Sequence, residues 1–144
     1  MEGNYVQFQP LLHHPIFFPI LLSITLISSN VLCHIDALES VDLSNNHLSS
    51  IPSGFITGSG NLSGLRGLEF SRNRLSCFLP NFDGFLKLEF SDLSHNTLSG
   101  MISSHMDGLV ILKILSLGYN EFTGFVPTHL GKSMVLGQLG LPCN

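Results

Sequence analysis

The chain has 144 residues, 44% of them hydrophobic, and a net charge of −4. That length allows one domain at most, and the acidic balance gives no electrostatic footprint for nucleic acid. Three cysteines and no tryptophan do not make a disulfide scaffold.

Met1–Pro15 is polar to mixed. Ile16–Ile27 follows as twelve mostly apolar residues, then Ser28 and Ser29. This run is short for a membrane span and reads as the core of a signal peptide covering residues 1–33. The cut falls at Cys33/His34 or near Asn30. The leading stretch carries no Lys or Arg, since all six lie at or after Arg66. One alternative is an uncleaved N-terminal hydrophobic anchor across Ile16–Leu32, interrupted by Pro19 and Asn30. A misplaced start is another.

From residue 34 to residue 144 one frame recurs. It is clearest in Leu112–Pro127, which fits L-x-x-L-x-L-x-x-N-x-L-x-G-x-[IV]-P. The anchoring asparagines are Asn46, Asn73, Asn96, Asn120 and Asn144, spaced 27, 23, 24 and 24 residues apart. Apolar residues stand eight, five and three positions before each anchor, and two after it in the four coils that reach that far. Around Asn46 these are Leu38, Val41, Leu43 and Leu48. Ser91 alone breaks the pattern. The alternating pair in each unit points one face of a short strand inward. The asparagine then turns the chain out of the strand, and its buried amide bonds backbone groups of neighbouring coils, giving an Asn ladder. Ser99-Gly100, Thr123-Gly124 and Pro127 suit an irregular turn. One coil cannot bury its apolar face alone, so stacking makes the core.

These repeats resemble the plant-type extracellular leucine-rich repeat, L-x-x-L-x-L-x-x-N-x-L-S-G-x-I-P-x-x-L-G-x-L-x-x. The resemblance covers about Leu38–Asn144, with Asp42-Leu43-Ser44, Asp92-Leu93-Ser94 and Leu98-Ser99-Gly100 close to family phrases. It departs at Cys77, which replaces the turn glycine, and at Ser103, which replaces the proline. The fold implied is an α/β solenoid: a leucine-rich repeat horseshoe fragment of about 4.5 coils. It has a short parallel β-sheet on the concave face and a mostly irregular or 3-10 convex side. Extracellular relatives usually carry an N-terminal cap with paired cysteines and a tryptophan. Here the repeats begin close to Cys33, and the fifth unit reaches only its own anchor. The chain therefore reads as a piece of a longer receptor-type protein.

Other signals fail. Gly131-Lys132-Ser133 lacks the glycine a phosphate loop needs, since Val126 stands there. Gly58, Gly60 and Gly64 have the wrong spacing for a dinucleotide fingerprint. The seven histidines show no metal-ligand spacing, and no kinase signature occurs. No catalytic set and no cofactor is expected. Asn61-Leu62-Ser63 is an N-glycosylation sequon. Cys77 and Cys143 lie three coils apart, about 14 Å at about 4.8 Å per strand. A disulfide needs Cα atoms within about 7 Å, so they should not bridge.

Solenoid curvature makes the strand face the usual ligand surface. Asp42, Glu69 and Asp92 hold equivalent outward positions on consecutive strands. They read either as a docking strip for a basic group or as the family's common L-D-L-S residue, tolerated in water. Arg72, His95 and Tyr119 form a second lane, and Phe90, Ile114 and Tyr119 add apolar area. The function implied is a non-catalytic protein- or peptide-recognition module of a receptor-like protein, with a peptide ligand or co-receptor as partner. It belongs to the secretory pathway, at the cell exterior or plasma membrane. Membrane association comes only through an uncleaved N-terminus or segments beyond the chain. The competing reading is a truncated remnant of a larger receptor kinase gene, unable to fold stably.

Overall fold

The computed structural model describes residues 16–17, 39–51, 64–79, 82, 84–102, 106, 109–128, 130 and 137–144. Apart from Ile16–Phe17, the leader expected at 1–33 lies outside the described residues, as do its cut at Cys33/His34, the Asn61 sequon and Ser103. The described residues hold eight short strands and no α-helix. None forms a helix long and apolar enough to cross a membrane.

Five strands are the five predicted repeat strands. They are β2 (Ser40–Asp42), β3 (Gly67–Glu69), β4 (Phe90–Asp92), β6 (Ile114–Ser116) and β8 (Gln138–Gly140). They stack in parallel, in that order, in one sheet. The register follows the asparagine spacing: Val41 faces Leu68, Leu68 faces Ser91, Ser91 faces Leu115 and Leu115 faces Leu139. One feature of this sheet was not anticipated. β1 (Ile16–Phe17) adds a sixth strand, parallel to β2.

A second, two-stranded parallel sheet joins β5 (Ser99–Met101) to β7 (Glu121–Thr123). It follows the corner after each anchor, and Phe78 bridges to its edge at Ser99. Gly100 and Gly124 both sit at φ 84°, a region that L side chains rarely adopt. A Cβ on Gly100 would also lie 2.6 Å from the Phe78 ring. The turn glycine thus answers two demands, backbone hand and room for the preceding coil's side chain. Cys77, which stands in that place in the second coil, has no such φ.

The far side returns through 3-10 turns. The Phe85 N–H donates to Phe82 O, that of Leu88 to Phe85 O, that of Leu109 to Met106 O and that of Leu112 to Leu109 O. A 3-10 turn eclipses residues three apart, so Phe82, Phe85 and Leu88 all point inward and are buried, as are Met106, Leu109 and Leu112. The Phe82 and Phe85 rings lie 5.9 Å apart, tilted by 55°, and help fill the core.

Asparagine holds the coils together. Asn96 Nδ2 donates to Phe70 O of the coil before (3.0 Å) and to Leu93 O and Ser94 O of its own coil. Its Oδ1 accepts the Leu75 N–H at 3.0 Å. Asn73 and Asn120 repeat this pattern, the latter taking the Leu98 N–H. Asn144 completes a fourth, longer rung, with Phe122 N–H at 3.4 Å.

Ser91 breaks the inward lane. It is fully buried among leucines, and its hydroxyl has no partner. An orphaned buried polar group costs about 1–3 kcal/mol. Ser91→Ala is therefore expected to stabilise the fold by about 1 kcal/mol, read as a higher urea midpoint. Asn96→Ala should lose about 3 kcal/mol or more, from four hydrogen bonds and the groups they leave unpaired. Asn144→Ala, at the stack's end, should lose about 1 kcal/mol or less.

Candidate functional site

The concave face is a grid. Coils supply rows, and equivalent outward positions form lanes about 4.8 Å per step. In the lane four residues before each anchor, Asp42 pairs with Glu69, Glu69 with Asp92, Asp92 with Ser116 and Ser116 with Gly140. The three carboxylates expected in one lane are therefore brought together. Their local roles differ. One oxygen of Asp42 accepts the Ser44 N–H, and one of Asp92 the Ser94 N–H, both at 2.9 Å. Each closes an Asx turn at the end of its strand. The ordinary family reading of L-D-L-S thus has a physical basis here. Glu69, one methylene longer, makes no such bond. Partial burial raises its pKa above the ordinary carboxylate value, helped by the charges of Asp42 and then Asp92.

A neighbouring lane, seven residues before each anchor, was not singled out from the sequence. It reads Glu39, Arg66, Glu89, Lys113. Glu89 lies between two cations and pairs with both Arg66 and Lys113. The hydrogen bond from Lys113, then that from Arg66, lowers its pKa. Arg66 and Lys113 are exposed and Glu89 is half-buried, so these surface pairs organise the face more than they stabilise it. The signal was present as alternating sign at a fixed offset from the anchors.

The third lane lies immediately before the anchors and holds Asn45, Arg72, His95, Tyr119 and Cys143. Every one of these has φ of 55–57°. The left-handed residue swings the chain so that the following asparagine enters the core. Its own N–H continues the ladder: Arg72 donates to Ser94 O, His95 to Gly118 O and Tyr119 to Pro142 O. The strain of a non-glycine residue in this region is spread along the lane. His95 and Tyr119 stack, with ring centroids 4.2 Å apart and planes within 8°. Phe90 and Ile114 stand opposite each other in the lane between, both half-buried, while Tyr119 is exposed. The expected site residues Asp42, Glu69, Asp92, Arg72, His95, Tyr119 and Phe90 thus share one face. Charged, aromatic and hydroxyl groups converge there.

On the opposite flank Phe78, Met101 and Phe125 are 76%, 71% and 95% exposed. They fall five residues after successive anchors, so they line up beside the second sheet. Cys77 and Cys143 form no disulfide, and burial pushes the Cys77 thiol pKa up.

Glu69 gives the face a pH dependence. With its folded pKa above the unfolded value, the folded state binds more protons in the window just above about 4.5, and stability falls as pH rises through it. Glu69→Gln is expected to raise the urea midpoint at neutral pH and to leave it unchanged below about pH 4, read in parallel titrations.

Comparison with known proteins places this geometry. No protein of curated function matches the chain in sequence. The family described as Leucine Rich Repeat matches residues 37–58 and 112–133. The chain is 38% identical to the HAESA receptor kinase ectodomain of Arabidopsis, solved with an N-terminally extended IDA peptide hormone ligand. The match has a TM-score of 0.73 and covers 85% of this chain and 20% of that one. It is 29% identical to the SOBIR1 receptor kinase ectodomain of Arabidopsis thaliana, with a TM-score of 0.71 over 85% of this chain and 64% of that one. It is also 29% identical to the GASSHO1/SCHENGEN3 ectodomain of Arabidopsis thaliana, solved with CASPARIAN STRIP INTEGRITY FACTOR 2. There the TM-score is 0.71, over 83% of this chain and 15% of that one. The chain thus spans from about a sixth to just under two thirds of these ectodomains. Strand register, asparagine rungs and these likenesses agree that the chain carries leucine-rich repeats and is similar to a fragment of plant receptor kinase ectodomains.

Proposed function

We propose that the chain is a recognition module that binds an extended peptide along its concave face, without chemistry of its own. The observation that carries this reading is the register of Asp42, Glu69 and Asp92 in one outward lane, beside the stacked His95 and Tyr119. Asp42 and Asp92 each retain a carboxylate oxygen beyond the one that closes a turn. Glu69, between them, is the carboxylate with no turn to close. A Lys or Arg of the peptide set against Glu69 would relieve the like-charge repulsion of the lane. The flat His95–Tyr119 pair offers a surface for an apolar or aromatic side chain. A solved relative bound to a peptide hormone supports the class of ligand. The module works at the cell exterior or plasma membrane, with a receptor-type partner chain as co-receptor and a glycan at Asn61.

The remnant reading draws on one observation, the unpartnered Ser91 hydroxyl in the core. Against it stand the rungs at Asn73, Asn96, Asn120 and Asn144, each made to the coil before.

The test is binding of the full chain to a synthetic peptide array graded in Lys and Arg content. Peptides rich in Lys or Arg should bind, and Glu69→Gln combined with Asp92→Asn should weaken them at least tenfold while the circular dichroism spectrum stays unchanged. Tyr119→Ala should weaken peptides carrying aromatic residues more than those without. Binding that is indifferent to peptide charge and to these variants would remove the concave-lane reading. Asn61 is checked separately, through a mass loss on endoglycosidase treatment of the plant-expressed chain that Asn61→Gln abolishes.

A further inference from the structure

The two ends of the stack differ. In the last coil the inward residues Leu139 and Leu141 are only half-buried. In the first repeat coil Val41, Leu43 and Leu48 are 2%, 1% and 0% exposed, as deep as their counterparts mid-stack. A first coil with nothing before it would be open on its outer side, because repeats contact only their neighbours.

β1 lies on that side. Ile16 pairs with Val41 and Phe17 with Asp42, in parallel. The offset is 25 residues, inside the 23–27 spacing of the asparagine anchors. The sense, register and separation are those of a preceding repeat coil, although the position equivalent to an anchor, 25 residues before Asn46, is Leu21.

The ladder marks the same edge independently. In every later coil the anchor Oδ1 accepts an N–H from the coil before. Asn46 is 5% exposed, and its Oδ1 is buried without a partner. Its amide is therefore turned toward a neighbour on the N-terminal side and is shielded from water there.

We infer that the Ile16–Phe17 strand is an intramolecular cap: it adds to β2 by parallel strand augmentation and covers the N-terminal edge of the repeat sheet. This strand, which falls in the run that reads as a leader, is then part of the folded protein. Its apolar composition suits this role, because an uncovered parallel edge beside Val41 and Leu43 would template association with other chains. A second copy of the chain is the competing occupant of the same edge.

Two measurements on the full chain test this, both in a background with Cys33, Cys77 and Cys143 replaced by Ser. The first introduces Phe17→Cys with Asp42→Cys. Partners on adjacent strands stand about 4.8 Å apart, within the Cα range of about 4.4–6.8 Å that a disulfide accepts. Mild oxidation should join the two cysteines within one chain. Phe17→Cys with Glu69→Cys, one strand further away, should remain reduced. The second is Ile16→Asp alone, which should lower the urea midpoint and speed amide exchange at Val41 and Leu43. Failure of the 17–42 bond to exceed the 17–69 control would overturn the cap. So would a bond formed only between chains, an unchanged midpoint for Ile16→Asp, or a mature secreted chain whose intact mass begins at His34.

Discussion

Every coil of this solenoid leaves polar backbone groups where the strand ends and the chain turns away, and buried groups of that kind must find partners. One asparagine per coil supplies them. Its amide spans two rows, donating to carbonyls of its own coil and of the one before while accepting an N–H across the gap. The leucines drive the stack to collapse, but their attraction is non-directional and would tolerate a slip between coils. The rungs remove that freedom. They set one row against the next so that Val41, Leu68, Ser91 and Leu115 share an inward line. The left-handed residue before each anchor is part of the same device, because it aims the amide.

The proposed recognition rides on what the ladder leaves free. With the inward lanes committed to leucine and asparagine, outward lanes vary without disturbing the core. The chain uses one for alternating charge, one for carboxylates and one for a stacked aromatic pair. These are not equally independent of the fold. Asp42 and Asp92 also tie down the backbone of Ser44 and Ser94, so part of their acidity is architectural. Glu69 is the position at which the lane's electrostatics are not explained by a turn.

Much of this was legible in the sequence because the repeat is written in residue types with one physical job each. The strands at Val41, Leu68, Leu115 and Leu139 and the asparagine rungs follow from spacing, while the 3-10 return was expected only from the family resemblance. Ser91 was visible as a break, but its unpartnered hydroxyl was not, since that depends on the three-dimensional surroundings of one oxygen. The second sheet was missed because Ser99–Met101 carries no alternation and Glu121–Thr123 only three residues of it, and the two pair only once the first sheet has set the coils in register. The Glu39–Arg66–Glu89–Lys113 lane was missed for a simpler reason: charge alternation runs across coils, and reading along the chain does not place those residues side by side. β1 escaped because Ile16 and Phe17 open a mostly apolar run that reads as a signal-peptide core, and a two-residue strand carries no alternation to set it apart.

The rungs have a direction. Each asparagine from Asn73 onward reaches back to the coil before it, so a coil is finished only when the next anchor arrives. Synthesis delivers anchors in that same order. A nascent chain leaving the ribosome can therefore close one rung at a time, each new coil sealing the polar corner of its predecessor, with only the latest corner still open to water. Assembly and translation run the same way along this molecule, and a pause in elongation would leave at most one unsealed coil exposed.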